Sequence, residues 1–281
     1  MIKELQIRPF ARPLLVWIAG IMLQTVFSCC TYSWVLLLLP VIILTTAGLV
    51  LRGQEHFCYE TRWLWGVVFL SLLLFLSIQK TAYSQFEALS EHPASLLSRW
   101  AREEQQRLLE PIAKLNLTDE EKSVLATITV GSRQAMSREV RNRFSATGVA
   151  HILAVSGFHV AIVCGFLSFL FSFLPRNGCC RWIRYISLLV LLWGFAAITG
   201  LAVSSVRAAL MLTMYLTGGV LDRRAERYNI LAASAFCMLV YEPLYLFDIG
   251  FQLSYLAVLS ILYFQPRLQA LIKVHNPFLR T

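Results

Sequence analysis

The sequence predicts an all-α fold, a polytopic bundle of transmembrane helices with one small helical segment outside the membrane. Of its 281 residues, 57% are hydrophobic and only 15% are charged, whereas soluble domains carry about 25% charged residues. Apolar runs recur along the chain and approach the roughly 20 residues that a helix needs to cross the hydrocarbon layer. The lipid bilayer is therefore the first partner that the sequence predicts.

Eight apolar segments are candidate membrane helices. They lie near residues 13–29, 33–51, 63–79, 149–174, 183–199, 205–221, 229–241 and 250–264. The last four are short or interrupted, and such helices are tolerated where the backbone is buried in protein or lines a wet cavity. The pattern is typical of channels and transporters. The first segment has no convincing cleavage site after it, so we expect it to remain as an anchor.

Basic residues in the short loops predict that both chain ends face the cytoplasm. Five groups agree on this orientation: Lys3, Arg8 and Arg12; Arg52 and Arg62; Arg176, Arg181 and Arg184; Arg223, Arg224 and Arg227; Arg267, Lys273 and Arg280. The opposite loops carry Glu242 and Asp248. The net charge of +9 is therefore read first as a topology signal, although in a soluble protein it would indicate a nucleic-acid partner.

Three segments follow from this topology. Residues 1–80 hold three membrane helices, residues 81–148 form a polar amphipathic segment on the outer side, and residues 149–281 hold about five membrane helices. In the polar segment, Pro93 is expected to start a helix with an apolar stripe, and Thr118 with Glu121 predicts a capping box. The stripe consists of Leu97, Trp100, Leu108 and Ile112.

Several kinds of active site are absent from the sequence. It contains no G-x-x-x-x-G-K-[ST] phosphate loop and no H-E-x-x-H motif, so ATP-driven transport and zinc proteolysis are not expected. The five histidines are scattered, and the seven cysteines show no metal-binding or disulfide spacing. We therefore expect no metal, no cofactor and no enzymatic activity.

A first polar cluster lies in the string TGVAHILAVSGFHV. Its members are Gly148, His151, Ser156, Gly157 and His159. The histidines are eight residues apart, so on one helix they differ by about 80° in direction and could share a polar face. One interpretation is a helix–helix seam, which small and hydroxyl residues favour in membranes. The other is a cavity or partner site, which is usual for ionisable residues within spans.

A second cluster lies in the string ITGLAVSSVRAAL. Its members are Thr199, Gly200, Ser204, Ser205 and Arg207. An arginine at mid-bilayer costs about 3 kcal/mol even on a mild insertion scale. Three alternatives therefore stay open for Arg207: the side chain extends outward to the interface, it pairs with an acid, or it lines a pore used by anions.

A third cluster, in the string YEPLYLFDIGFQLSY, contains Asp248 and Gln252. Asp248 precedes a helix and is expected to cap it. Glutamine is uncommon on a lipid-facing surface, so we expect an interior position for Gln252.

A run of arginines precedes the first cluster and comprises Arg133, Arg138, Arg141 and Arg143. Two of them, Arg138 and Arg141, are three residues apart and would share a helix face. Guanidinium groups at this place would attract phosphates and form an outer basic vestibule. The alternative is a solvated helix face whose charge is tempered by Glu139.

In order and spacing, these clusters resemble the competence domain of the ComEC family. Members carry a string like HllAiSGlHv, and this chain has HILAVSGFHV. A glycine-rich turn with Ser and Arg-Ala follows in the family, and the matching residues here are Gly200, Ser204 and Arg207–Ala208. The string DIGFQLSY resembles the last marked string of that region, so the resemblance covers residues 119–264. Val203 stands where many members carry proline.

The resemblance implies a channel in the bacterial inner membrane that passes single-stranded DNA into the cytoplasm during natural transformation. The middle segment is then a periplasmic helical segment. Implied partners are single-stranded DNA, periplasmic DNA-binding proteins, a cytoplasmic helicase and a second copy of the chain. The residues implied in DNA passage or pore architecture are His151, Ser156, Gly157, His159, Gly200, Ser204, Arg207, Asp248 and Gln252.

Longer members of the family have a β-rich domain before the motifs, further membrane helices after them, and a nuclease-like domain. We therefore expect this chain to correspond to one part of such a channel. Two other functions stay open: a small-molecule transporter or membrane assembly scaffold, and an intramembrane serine hydrolase. The hydrolase would use Ser156 as nucleophile with His159 or His151 as base, but three residues of separation on one helix is an awkward geometry.

Overall fold

The computed structural model describes residues 9–27, 46, 62–89, 96–131, 139, 142–143, 146–147, 156–173, 178–221 and 226–271. The helices within these ranges are α1 (Ala11–Phe27), α2 (Arg62–Leu89), α3 (Leu96–Ala113), α4 (Asp119–Val130), α5 (Gly157–Leu170), α6 (Gly178–Ile198), α7 (Val203–Val220), α8 (Arg227–Tyr241) and α9 (Ile249–Leu271). Two short 3₁₀ segments, Phe171–Phe173 and Pro243–Phe247, follow α5 and α8.

Every regular element among the described residues is helical, which confirms the all-α fold class. Four helical stretches are long and apolar enough to cross a membrane: Gly66–Ala88, Gly178–Ile198, Val203–Val220 and Ile249–Ala270. Two apolar helices are shorter, Ala11–Phe27 and Gly157–Phe173. The span predicted at residues 33–51 lies outside the described ranges. The described chain is thus a polytopic helical membrane bundle.

Three helices are longer than the hydropathy pattern predicted. Helix α2 continues to residue 89 instead of 79, α6 begins at residue 178 instead of 183, and α9 continues to residue 271 through Pro266. In α2 the cause is visible, because Ser77, Thr81 and Ser84 are buried against neighbouring helices. The hydropathy pattern places the end of the span at these polar residues, whereas the folded protein buries them. The division at residues 80 and 148 stays a prediction.

The chain forms two compact units. Unit 1 comprises Met1–His92 and Glu226–Thr281, and unit 2 comprises Pro93–Ala225. The described helices of unit 1 are α1, α2, α8 and α9, and those of unit 2 are α3 to α7.

In unit 1, α1 and α2 cross at close range. A Cβ atom built on Gly20 would lie 2.7 Å from both Cβ and Oγ of Ser77, so this approach requires glycine. Ser77 Oγ donates a 2.7 Å hydrogen bond to the Trp17 carbonyl oxygen. Small residues at a close crossing, joined by a hydroxyl group, are typical of helix pairs that pack within membranes.

Helix α8 packs against α1 in the same direction. The Phe10 backbone N–H donates to Asn229 Oδ1 at 3.0 Å, and Trp17 Nε1 donates to the Leu239 carbonyl oxygen at 3.1 Å. Trp17 also meets Phe236 edge to face at a centroid distance of 5.5 Å. Phe10, directly before α1, therefore pairs with the start of α8 and Trp17 pairs near its end, so the two helices run parallel.

The link between α8 and α9 is held to α2 by one carboxylate. Glu242 follows the last residue of α8, and its Oε1 accepts hydrogen bonds from Ser84 Oγ and, at 3.2 Å, from Leu244 N. This contact ties α2 to the short 3₁₀ turn that reverses the chain into α9.

In unit 2, α6 and α7 form an antiparallel pair whose seam carries three polar rungs. The Tyr185 and Thr217 hydroxyl oxygens are 2.8 Å apart, and Trp193 Nε1 donates to Thr213 Oγ1 at 3.1 Å. At the turn between the helices, the Thr199 and Ser205 hydroxyl oxygens are 3.2 Å apart. Between the rungs, α5 completes an apolar core formed by Val160, Cys164, Leu192, Ala196 and Ala209.

The predicted capping box is present at the start of α4. The Thr118 backbone N–H donates to Glu121 Oε2 at 2.9 Å, and the Glu121 N–H donates to Thr118 Oγ1 at 3.4 Å. Hydrogen bonds from the Thr118 backbone and then from its side chain hold the pKa of the Glu121 carboxyl below its usual value. Helix α3 confirms that a helix precedes α4, while its apolar stripe stays a prediction and Pro93 lies outside the described residues.

Candidate functional site

The turn between α6 and α7 requires a left-handed backbone at two consecutive residues. Gly200 has φ of 70° and Leu201 has φ of 52°, and the Leu201 N–H donates to the Ala196 carbonyl oxygen at 2.9 Å to close the end of α6. Glycine adopts this conformation without strain. A Cβ atom on Gly200 would also lie 3.0 Å from Gln105 Oε1, so α3 approaches this turn closely.

Helix α7 starts directly after this turn and carries the second polar cluster in its first two turns. Ala202 is the N-cap and Val203 the first helical residue. Ser205 is fully buried at the rung with Thr199, and Ser204 is half-buried on the neighbouring face.

Arg207 is buried one turn into α7, with 6% of its surface exposed. This burial disfavours the alternative in which the side chain extends away from the protein to the membrane interface. A buried guanidinium group needs a compensating charge or hydrogen-bond acceptors. The interpretations as an ion pair or as a pore-lining cation therefore remain.

The start of α5 carries Ser156 and His159 in direct contact. Ser156 is the N-cap, with φ of −96° and ψ of 164°. Its Oγ lies 2.9 Å from His159 Nδ1, and its backbone N–H donates to the same nitrogen at 3.2 Å. Because Nδ1 accepts the backbone proton, the arrangement fits a neutral imidazole with its proton on Nε2. The histidine thus closes the first turn as Glu121 does in α4.

The first and second clusters meet at one end of the α5–α7 bundle. A Cβ atom on Gly157 would lie 3.4 Å from the Ala208 Cβ atom, which is ordinary van der Waals contact. The start of α5, the end of α6 and the start of α7 therefore lie together, with Gln105 of α3 beside them. We call this the polar end, and its residues are Gln105, Ser156, Gly157, His159, Thr199, Gly200, Ser204, Ser205 and Arg207.

The third cluster belongs to unit 1. Asp248 caps α9 as predicted, because its Oδ2 accepts the Phe251 N–H at 2.9 Å. The prediction of an interior position for Gln252 was wrong, since its side chain is exposed. Its Nε2 donates to the Leu246 carbonyl oxygen at 2.8 Å, so the 3₁₀ turn satisfies the amide locally and no interior partner is required.

Only part of the predicted basic vestibule can be placed. Arg143 is exposed and forms ion pairs with Glu139 at 2.9 Å and Glu120 at 3.5 Å. The two carboxylates therefore compensate the charge of Arg143. This agrees with the alternative interpretation of the run as a solvated helix face whose charge is reduced by Glu139. The remaining arginines of the run, together with two members of the first cluster, lie outside the described ranges: Arg133, Arg138, Arg141, Gly148 and His151.

The sequence interpretation missed the rungs at Thr213 and Thr217. Each hydroxyl donates to its own helix, to Ala209 O at 2.7 Å and Thr213 O at 2.6 Å, and so presents an acceptor to α6. The signal was present in the sequence, because two threonines four residues apart share one helix face.

A family described as "Competence protein" matches residues 128–280, just over half of the 281 residues. The chain belongs to this family. The matched region contains α5 to α9, and so includes every residue of the polar end except Gln105. Helices α1 to α3 precede it.

One relative is ComE operon protein 3 of Bacillus subtilis (strain 168). It is 35% identical over 139 residues, which are 50% of this chain and 18% of that protein. The matched stretch thus spans less than a fifth of the length of this curated relative. No solved structure matches the chain.

Proposed function

We propose that this competence-family chain forms part of an inner-membrane channel that passes single-stranded DNA into the cytoplasm during natural transformation. The observation that carries the proposal is the polar end. Helices α5, α6 and α7 bring hydroxyl, imidazole and guanidinium groups together at one end of a bundle with an apolar core, with Arg207 buried among them.

The polar end suits a polyanion for two physical reasons. A buried arginine presents several N–H donors to phosphate oxygens, and its charge is weakly screened by salt. Gly157 meets Ala208 with no larger side chain between them, so the helix ends approach closely without filling the space with bulky groups. Under this proposal Arg207 and the half-buried hydroxyl group of Ser204 contact the DNA backbone, which makes passage independent of sequence.

The positions of the basic residues support an orientation with both chain ends in the cytoplasm. Arg181 and Arg184 lie at the start of α6, whereas the polar end lies at its finish. Arg184 Nη2 donates to the Ser168 carbonyl oxygen near the end of α5 at 3.1 Å. Because cytoplasmic ends are enriched in arginine, the polar end faces the periplasm in this proposal, at the point where DNA enters.

We extend the proposal to the partners of the chain and to its chemical role. The chain acts as a conduit without enzymatic activity or a cofactor. Periplasmic DNA-binding proteins deliver the strand, a cytoplasmic helicase draws it inward, and a second copy of the chain or further membrane helices complete the lumen.

The proposal is tested by DNA uptake in cells that lack their own competence channel and express this chain. Fluorescent DNA reaching the cytoplasm is counted for the unsubstituted chain and for Arg207→Gln. We expect uptake to fall by more than about 100-fold in the variant, since disrupting a buried charge arrangement costs about 3–5 kcal/mol and about 1.4 kcal/mol is a factor of ten.

The matched control is Arg107→Gln, which removes an exposed arginine paired with Glu104 at 2.7 Å. It should leave uptake unchanged at equal membrane content. Equal uptake in Arg207→Gln and Arg107→Gln contradicts the proposal, whereas DNA held outside the inner membrane by the unsubstituted chain shows that further membrane helices are needed to complete the lumen.

A second candidate function is favoured by one contact. The sequence interpretation treated Ser156 and His159 as awkwardly placed on one helix, and this was wrong. Ser156 precedes α5 in an extended conformation, which brings its Oγ within 2.9 Å of His159 Nδ1. A serine hydrolase needs such a pair. Labelling by a fluorophosphonate probe that disappears in Ser156→Ala would favour the hydrolase, whereas a channel should show no labelling and tolerate the change.

A further inference from the structure

An open apolar groove lies in unit 1, between α1, α8, α9 and the 3₁₀ turn. Its volume is about 480 Å³. Leu14 and Ile18 of α1 form one wall, Ala232 and Ala235 of α8 the floor, and Leu256 and Leu259 of α9 the other wall. The two alanines make the floor low, which creates the groove.

Two polar groups at the margin of the groove, those of Tyr228 and Gln252, are directed to backbone carbonyls. The Tyr228 hydroxyl donates to the Leu262 carbonyl oxygen at 3.2 Å, and Gln252 Nε2 donates to the Leu246 carbonyl oxygen at 2.8 Å. These groups therefore do not require a polar ligand. The occupant that suits the groove is a hydrocarbon.

The length of the groove corresponds to one leaflet of the bilayer. Along α8 it runs from Tyr228 to Leu239, which at 1.5 Å per residue is roughly 16 Å. The hydrocarbon core of a bilayer is about 30 Å thick. A transmembrane helix of a partner would need a groove of nearly twice this length, whereas a single acyl chain fits.

The groove begins at the basic end of unit 1. Phe10 pairs with Asn229, so α1 and α8 start together. Tyr228 pairs with Leu262, so α9 finishes beside the start of α8. Three exposed arginines lie at this end, and they are Arg12, Arg227 and Arg267.

One of these arginines is held against its own helix. Arg267 Nη1 donates to the Tyr263 carbonyl oxygen at 2.8 Å, and its guanidinium carbon lies 3.5 Å from the centre of the Tyr263 ring. The guanidinium group is thereby folded back by one turn, to the level at which Leu262 meets Tyr228. Its other N–H groups remain available to an anion.

The opposite end of unit 1 is acidic. Glu242 and Asp248 lie there, at the link between α8 and α9. At the basic end, Glu226 precedes Arg227 and is half-buried. An anionic head group is therefore attracted to the end with three arginines and repelled from the other.

We propose that this groove is a binding site for one anionic phospholipid, with an acyl chain in the groove and the phosphate at Arg12, Arg227 and Arg267. Basic groups between membrane helices bind anionic head groups by charge, while the chain contributes apolar burial. The site is independent of the proposed passage of DNA.

The test uses the full chain in nanodiscs with equal amounts of phosphatidylglycerol and phosphatidylethanolamine. After extraction into mild detergent, the retained lipid is measured by native mass spectrometry. We expect one bound phosphatidylglycerol per chain. Retention should fall about fivefold for each arginine replaced in Arg12→Gln, Arg227→Gln and Arg267→Gln, because each basic group near the surface contributes about 1 kcal/mol.

A second pair of variants tests the groove without changing charge. Ala232→Phe fills the floor and should abolish retention, whereas Ala257→Phe places the same side chain on an exposed part of α9 outside the groove and should retain the lipid. Melting temperatures of both variants show whether they fold. Equal retention of phosphatidylglycerol and phosphatidylethanolamine overturns the proposal. Equal retention of phosphatidylglycerol by the variants Ala232→Phe and Ala257→Phe also overturns it. A dimer that dissociates in Ala232→Phe also overturns it, because a second copy then fills the groove.

Discussion

Two seams, one in each unit, join their helices in different ways. In unit 1, α1 is joined to its neighbours by buried side chains that bond to the backbone, as Ser77 does to the Trp17 carbonyl and Trp17 to the Leu239 carbonyl. In unit 2, α6 and α7 are joined by side chains that bond to other side chains, as Trp193 does to Thr213. Backbone acceptors stay in place when a side chain changes, whereas a rung between two side chains is lost with either partner. The seam between α6 and α7 is therefore expected to be more sensitive to the removal of a single hydroxyl group than the contacts of α1 are.

The close crossing in unit 1 gives the largest expected effect. Gly20→Ala places a Cβ atom 2.7 Å from Ser77 Cβ, and overpacking of this kind costs about 1–3 kcal/mol. The matched variant in unit 2 is Gly194→Ala, where no atom lies within 4 Å of the new Cβ. It should be neutral or stabilising, because alanine favours a helix over glycine.

Thermal unfolding of the purified chain in detergent measures both changes. A lower melting temperature for Gly20→Ala and an unchanged or higher one for Gly194→Ala is the expected pattern. Equal melting temperatures would show that α1 and α2 do not cross at this distance.

The rungs of unit 2 give the next effect. Thr213→Val removes the acceptor of the Trp193 indole N–H and should destabilise the chain by about 1 kcal/mol, as hydrogen bonds between membrane helices do. Thr25→Val is the control, because that hydroxyl donates only within its own helix, to Ile21 O and Met22 O at 3.0 Å. Urea or detergent titration followed by tryptophan fluorescence should distinguish them. If Thr25→Val destabilised the chain as much as Thr213→Val, the proposed difference in how the helices of the two units are joined would be contradicted.

The capping box of α4 gives a smaller, pH-dependent effect. The pKa of Glu121 is lowered from its usual 4.5 in the folded chain, so its contribution to stability is present above pH 4.5 and is lost as the pH falls through the lower folded value. Protection of the α4 amides from hydrogen exchange should therefore weaken at acidic pH. Glu121→Gln should abolish this dependence, and Glu110→Gln in α3 should leave it intact.

The same helix also responds to its N-cap. Thr118→Ala should lower the local stability of α4 by about 1 kcal/mol at neutral pH. An α4 that exchanges at the same rate in this variant as in the unsubstituted chain would contradict the observed cap.

The smallest effect is a stabilising one at the polar end. Val203 is the first residue of α7, and Ala202 before it has φ of −52° and ψ of 134°. Proline fits the first helical position and this preceding conformation. Val203→Pro should stabilise the chain by about 0.4–1 kcal/mol. Val206→Pro, which removes the bond from Val206 N to Ala202 O, should cost about 3 kcal/mol. Equal melting temperatures for the two variants would contradict the assigned start of α7.

Much of the fold follows from local patterns in the sequence. Apolar runs predicted the membrane helices, and Thr118 with Glu121 predicted the start of α4, because hydropathy and capping depend on neighbouring residues. The end of α2 was missed because Thr81 and Ser84 are polar but buried, and burial depends on other helices. Longer-range contacts leave no local signal, as with Phe10 and Asn229.

The candidate site shows the same contrast between features that depend on neighbouring residues and features that depend on packing. Its residue types and their order were predicted, but the meeting of α5 with α7 at Gly157 and Ala208 depends on packing. Gln105 was not predicted at all, since it approaches Gly200 from a separate helix. The exposed position of Gln252 was missed because the 3₁₀ turn that satisfies its amide group could not be predicted. The contact between Ser156 and His159 was missed because Ser156 was expected within a helix, whereas it is an extended N-cap.

The central claim is that the polar end is the outer entrance for single-stranded DNA. The most direct test is labelling of a Ser204→Cys variant in spheroplasts by a membrane-impermeant maleimide, with and without single-stranded DNA. Cys179, exposed at the start of α6, is the reference at the opposite end of unit 2. We predict that the substituted position is labelled from outside and protected by DNA, while Cys179 is labelled only after the membrane is opened. Labelling of the substituted position only from the cytoplasmic side, or at a rate that DNA does not change, would contradict the account.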